Sequence, residues 1–101
     1  MIRTYRVRAE TEERCAALLD RHWEALRRLE LVTEDRSLVL RSLHGPLAYV
    51  EIFTWVEGGF ERAHEHPDVL TIWEAMDPLL EARGVLPKWE FPHFSRVSAG
   101  A

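Results

Sequence analysis

The apolar run AYVEIFTWV, from Ala48 to Val56, constrains the fold more than any other stretch of this chain. Its aromatic and β-branched residues suit a strand. Alternation places Tyr49, Phe53 and Trp55 on one face and Val50, Ile52 and Val56 on the other. Both faces are too apolar to meet water, so the strand is expected inside a sheet with something packed against each side. Within the run sits one carboxylate, Glu51. Left unpaired under cover it would cost on the order of several kcal/mol, so it must be protonated, paired or reached by solvent.

Elements of opposite period flank this strand. Ile2 to Arg8 alternates, with Ile2, Thr4, Arg6 and Arg8 on one side and Arg3, Tyr5 and Val7 on the other, which predicts a first strand. From Thr11, the expected N-cap, Cys15, Leu18, Leu19, His22, Trp23, Leu26 and Leu29 recur at helical spacing. Glu12 and Glu13 at the start and Arg27 and Arg28 at the end match the helix dipole. Ser37 to Leu43 reads as a second strand, joined to the third by a turn at His44-Gly45-Pro46.

After Gly58-Gly59, a short helix is expected over residues 60–65, because Pro67 disfavours helical geometry at His66. Pro67 then opens a helix to about Arg83, with Val69, Ile72, Trp73, Met76 and Leu80 on one face, a kink at Pro78 and a stop at Gly84. A last strand is expected over Lys88 to Val97, placed at an edge or bulged by Pro92. Residues 98–101 read as a frayed tail, leaving one domain over 1–97.

The order β-α-β-β-α-β is that of a ferredoxin-like α+β fold, a four-stranded antiparallel sheet with helices on one face. The other sheet face then needs cover. A homodimer with two sheets face to face, a dimeric α/β barrel, supplies it. Ten aromatic residues, four of them Trp, in a 101-residue chain strengthen the case for a partner copy.

A net charge of -4 with no long basic block argues against nucleic acid and anionic membranes as primary partners. One cysteine, Cys15, excludes an intrachain disulfide and a Cys-rich metal site. The start lacks the apolar core of a secretion signal, and no apolar run approaches the ~18 residues of a membrane span. A cytoplasmic protein is the expectation. Gly58-Gly59 lacks the spacing and the lysine of a phosphate-binding loop, so a nucleotide-dependent enzyme is disfavoured.

Glu51, Phe53, Ala63, His64 and Trp73, in the segment from Tyr49 to Met76, resemble the pattern of dimeric α/β barrel proteins of antibiotic-biosynthesis-monooxygenase type. The resemblance implies a homodimer with a pocket between sheet and helices in each subunit. In some members that pocket serves cofactor-free oxygenation of aromatic polyketides, and in others haem breakdown. This chain departs from the pattern in two ways: thirteen positions separate Glu51 from His64, about two more than usual, and no Asn, Trp and His set matches the haem-degrading relatives.

Two residues are candidates for acid-base chemistry. Glu51 is either a general base, or the partner that orients His64, or a structural carboxylate bonded to Arg41, Arg6, a Trp N–H or the dimer mate. His64 falls with Phe60 and Ala63 on the apolar side of its helix, aimed at the sheet, either for proton transfer with Glu51 or as a packed core residue. Tyr49, Phe53, Trp73, Met76, His22 and Trp23 are candidate pocket walls for a small apolar or aromatic molecule, or plain core, and Tyr5 and Tyr49 are candidate donors to a substrate carbonyl. The triplet His64-Glu65-His66 points its imidazoles to nearly opposite sides of a helix, so no metal is expected, and no cofactor. Capping of the following helix by His66 is the simpler role. The expected function is small-molecule binding by a homodimeric α/β barrel, as a cofactor-independent monooxygenase acting on an apolar or aromatic substrate, or as a non-enzymatic ligand-binding or structural dimer of the same fold.

Overall fold

In the computed structural model, which describes residues 1–94 and Val97, the expected periodicities become seven main elements. These are β1 (Ile2–Arg6), α1 (Glu12–Arg28), β2 (Leu38–Arg41), β3 (Ala48–Ile52), α2 (Gly59–Ala63), α3 (Pro67–Met76) and β4 (Trp89–Glu90). The sheet order is β2-β3-β1-β4, antiparallel throughout. This four-stranded sheet and its order are compatible with a ferredoxin-like fold. The expected tail at 98–101 lies outside the described residues, as do Ser95 and Arg96 of the expected last strand.

Register assigns the two sheet faces. Arg3 lies opposite Glu51 and Tyr5 opposite Tyr49, while Val39 and Arg41 meet the same two β3 residues from the other side. These side chains face α1 and α3: Arg41, for example, bonds Glu12 at the start of α1 through both Nε and Nη2, at 2.6 and 3.0 Å. Ile2, Thr4, Leu38, Leu40, Val50 and Ile52 alternate with them and occupy the opposite, open face.

Helix α1 buries Cys15, Leu18, Leu19, His22, Trp23, Ala25 and Leu26, the stripe that its 3.6-residue period defines. Thr11 precedes it without capping it; its hydroxyl donates instead to the carbonyls of Arg8 and Leu79. The core divides in two. One cluster gathers Tyr5, Val7, Cys15, Tyr49, Ile72, Met76 and Leu80, and the other Trp23, Leu26, Leu31, Val32, Phe53, Ala63 and Val69.

The expected elements are mostly longer than the observed ones, and the largest differences lie after Ile52, after Met76 and in the last strand. The run after Ile52 leaves its ladder partners and pairs with the segment after α1: Trp55 bridges Val32, and Val56 N–H donates to the Leu31 carbonyl. Helix α3 ends at Met76 in a 3₁₀ turn around Pro78 instead of reaching Arg83. Leu80 follows in extended backbone and bridges Val7, so the two buried leucines Leu79 and Leu80 are set by the proline. Gly84 serves a turn between Arg83 and Leu86, with φ 61°, and not a helix stop. β4 is only two residues long, in keeping with an edge strand followed by Pro92.

At Gly59 a side chain has no room. A Cβ there would collide with the backbone carbonyl of Leu31, which cannot move without breaking its bond from Val56 N–H. Gly59→Ala is therefore expected to lower the melting temperature by on the order of 10 °C, measured by thermal unfolding. Gly45→Ala, where a Cβ meets no atom within 4 Å and only the φ of 74° resists, should cost clearly less.

Candidate functional site

Glu51 stands at the centre of β3, fully buried, and the covering helix and the neighbouring strand each send it a donor. Tyr5 on β1 donates its hydroxyl to Oε1 at 2.7 Å. His22 on α1 places Nδ1 3.0 Å from Oε2. On the far side of that imidazole, Trp73 of α3 donates its indole N–H to Nε2 at 3.0 Å. An indole nitrogen can only donate, so His22 Nε2 must be the acceptor and the imidazole proton sits on Nδ1, directed at Glu51. The donors of the chain Tyr5, Glu51, His22, Trp73 thus converge from both ends on the anionic carboxylate.

Burial pushes the Glu51 carboxyl up. His22 first, then the Tyr5 hydroxyl and the nearby Arg3 guanidinium together outweigh it and hold the group below its ordinary value of 4.5. Burial first, and then the Glu51 charge, push the Tyr5 phenol well above its usual value, so it stays a donor. The two core clusters meet across this chain: Tyr5 belongs to one, and Trp73 packs against the other.

His64 is not the partner of Glu51. It is exposed, its Nδ1 faces its own helix at Phe60 O at 2.9 Å, and its ring lies 4.9 Å from the Trp73 ring. Trp73 therefore has His22 and His64 as ring neighbours, at centroid distances of 6.3 and 4.9 Å. Of the other expected site residues, Phe53 packs edge-on to His22 at 6.0 Å. Trp23 is buried in the second cluster. Tyr49 and Met76 lie in the first: the Tyr49 hydroxyl bonds Glu12, and Met76 touches the Cys15 thiol at 3.5 Å. Burial, followed by the charges of Glu12 and Glu51, pushes that thiol up to about 11. Nor do the proposed structural partners Arg41 and Arg6 reach Glu51; they pair with Glu12 and Glu90.

Sequence reasoning missed Arg3. Its alternation with Tyr5 and Val7 put a cation on the inward face of β1, and that was the available signal. Two sizeable cavities lie away from Glu51: one of about 420 Å³ between α1 and α3, flanked by Arg28 and Asp68, and one of about 360 Å³ beside Met1, Trp55 and His93. His66 accepts from Asp68 N–H and so caps α3. Among the described residues no group of three or more His, Cys, Asp or Glu side chains could hold a metal ion, and no helix is long and apolar enough to cross a membrane. Compared with known proteins, the chain matches no family model and no curated protein.

Glu51→Gln cannot restore the chain. If the amide N–H₂ faces His22, two donors oppose each other; if it faces Tyr5, the phenol proton loses its acceptor. One buried donor left unsatisfied costs about 1–3 kcal/mol, so this variant is expected to melt several degrees or more below the parent. Replacement of Trp73 by Phe should cost less, because it removes a donor and leaves an acceptor.

Acid should act through the same carboxylate. A folded value below 4.5 means that the stabilisation from Glu51 is complete above 4.5 and is lost as pH falls through the folded value. Glu12 behaves alike, held at about 2 by hydrogen bonds from Arg41 and then Tyr49. Melting curves from pH 7 to pH 3 should therefore fall below about pH 4.5, and less steeply in Glu51→Gln.

Proposed function

We propose that this protein is a small-molecule-binding homodimer, in which two sheets pack face to face as a dimeric α/β barrel and each subunit receives an apolar or aromatic ligand between sheet and helices. The observation that supports it is the contrast between the two faces of one sheet. The helix side is covered by α1 and α3, and both oxygens of its Glu51 carboxylate are bonded within the chain. The other side presents Ile2, Leu38, Leu40, Val50 and Ile52, and among the described residues no element lies over it, Leu38 being 54% and Leu40 47% exposed. A contiguous apolar face of this kind marks an interaction surface, and a second copy offers a surface of matching shape and chemistry.

Binding fits the site better than turnover does. A general base must reach its substrate, and both Glu51 oxygens and both His22 nitrogens are occupied by protein partners. These four residues serve as the scaffold that holds sheet and helices at fixed separation. Cofactor-independent oxygenation is the second reading. It is favoured by the Glu51–His22 pairing at 3.0 Å, a base with its orienting carboxylate, and it requires Trp73 to yield Nε2 to a substrate.

Light scattering after size exclusion should give a mass of about 24 kDa at micromolar concentration, twice the 11.8 kDa of one chain. The double substitution Leu38→Lys, Leu40→Lys, on exposed positions of an edge strand, should return the mass to that of one chain while leaving the far-UV spectrum intact. A parent protein that runs as a monomer at about 100 μM would sink the dimer.

A further inference from the structure

One buried charge makes no hydrogen bond within the scaffold. Arg3 is 6% exposed, and among the described residues its Nη1 is buried without a hydrogen-bond partner. Glu51 lies directly opposite it in register, yet both of its oxygens take their bonds from Tyr5 and His22. The guanidinium instead looks at three rings: Trp73 with its centroid 5.0 Å from Cζ, Phe91 at 5.3 Å and Tyr5 at 5.9 Å. Ring faces attract a cation, but they do not accept the in-plane N–H bonds of a guanidinium.

The three rings are not equivalent. Tyr5 is buried within the core and Trp73 is tied to His22. Phe91 follows the last paired residue of β4, on the side where Thr4 faces Glu90 and Arg3 comes next; it is exposed, and Pro92 after it has no N–H to offer a ladder. Phe91 thus covers, from the outer side, a cation with unused donors.

We propose that Arg3 anchors the carboxylate of a small planar aromatic acid, which enters from the Phe91 side with its ring against Trp73 and Phe91. A guanidinium offers paired N–H groups in the spacing of the two carboxylate oxygens, which no ring can match. Flanking aromatic faces suit a flat apolar body attached to that anion. The adjacent Glu51 charge sets the valence: it already offsets Arg3, so each further negative charge meets repulsion, and a monoanion held by paired N–H bonds meets less of it than a dianion such as phosphate. The inference rests on the ligand-binding reading above and names the chemical class of that ligand.

Calorimetric titration of the intact protein with benzoate, with isosteric benzamide and with inorganic phosphate tests it. Benzoate should bind saturably at least about tenfold more tightly than benzamide, with phosphate weakest, and the indole N–H resonance of Trp73 should shift with benzoate saturation. Arg3→Gln should reduce benzoate binding to the benzamide level, and Arg3→Lys should leave an intermediate affinity because it keeps the charge and loses the fork. If Arg3→Gln does not fold, Arg3→Lys and the ratio of benzoate to benzamide in the parent decide the matter. Equal binding of benzoate and benzamide, or benzoate binding untouched by loss of Arg3, would falsify the anchor and leave the ligand-binding reading standing. No binding of either aromatic compound up to about 10 mM would overturn both.

Discussion

The burial of one carboxylate in the central region of the sheet dictates much of the rest. Glu51 has no access to water, so its charge must be met by donors that the fold itself brings. Those donors come from β1 and α1, and the second is oriented in turn by α3. One hydrogen-bonded path therefore crosses every layer on the helix side of the sheet. Apolar packing alone tolerates small slides of a helix over a sheet, whereas a directional path with a fixed tautomer does not. The two core clusters on either side of the path are held in one register by it.

Locality decides which parts of the molecule were legible in the sequence. Period-two and period-3.6 patterns are local properties of residues 2–8, 12–29 and 48–56, and they led to the element order and to a sheet compatible with a ferredoxin-like arrangement. Glu51 was conspicuous for the same reason, a charge within an apolar alternation. Its partners were not, because they depend on how two helices lie across the sheet. His22 sits on the stripe of α1 beside Leu18, Leu19 and Leu26, where its spacing alone suggests core or pocket wall, while the apolar side of the short helix suggests His64 as a partner of Glu51 or a packed core residue. On a five-residue helix, a residue next to the buried Ala63 stands about 100° round the axis from it, enough to turn His64 outward. Boundaries failed where a proline acted earlier than the apolar pattern, as at Pro78, or where an apolar run changed pairing partners, as after Ile52.

The two faces of the sheet pose opposite problems. On the helix side, apolar cover is complete and the difficulty is polar: each buried donor and acceptor needs a mate. On the open side there is little polar to satisfy beyond the Arg6–Glu90 pair at 2.7 Å, and the difficulty is apolar area left to water. In the proposed dimer a second copy would cover the open side without altering the helix side. This separation is why assembly and ligand recognition, as proposed, draw on different residues of the same strands: Ile2 and Thr4 for one, Arg3 and Tyr5 for the other.

A satisfied polar network and an unsatisfied one have different uses. Tyr5, Glu51, His22 and Trp73 gain nothing from a ligand, because any new bond to them requires breaking an old one. Arg3 is in the reverse position: its charge is already desolvated, so the cost of removing it from water has been met during folding, and an incoming anion gains the bond without that penalty. The same logic locates where the protein must yield. Trp73 is held by its indole N–H and buttressed by His64, so the proposed ligand would have to displace Phe91, beyond the end of β4.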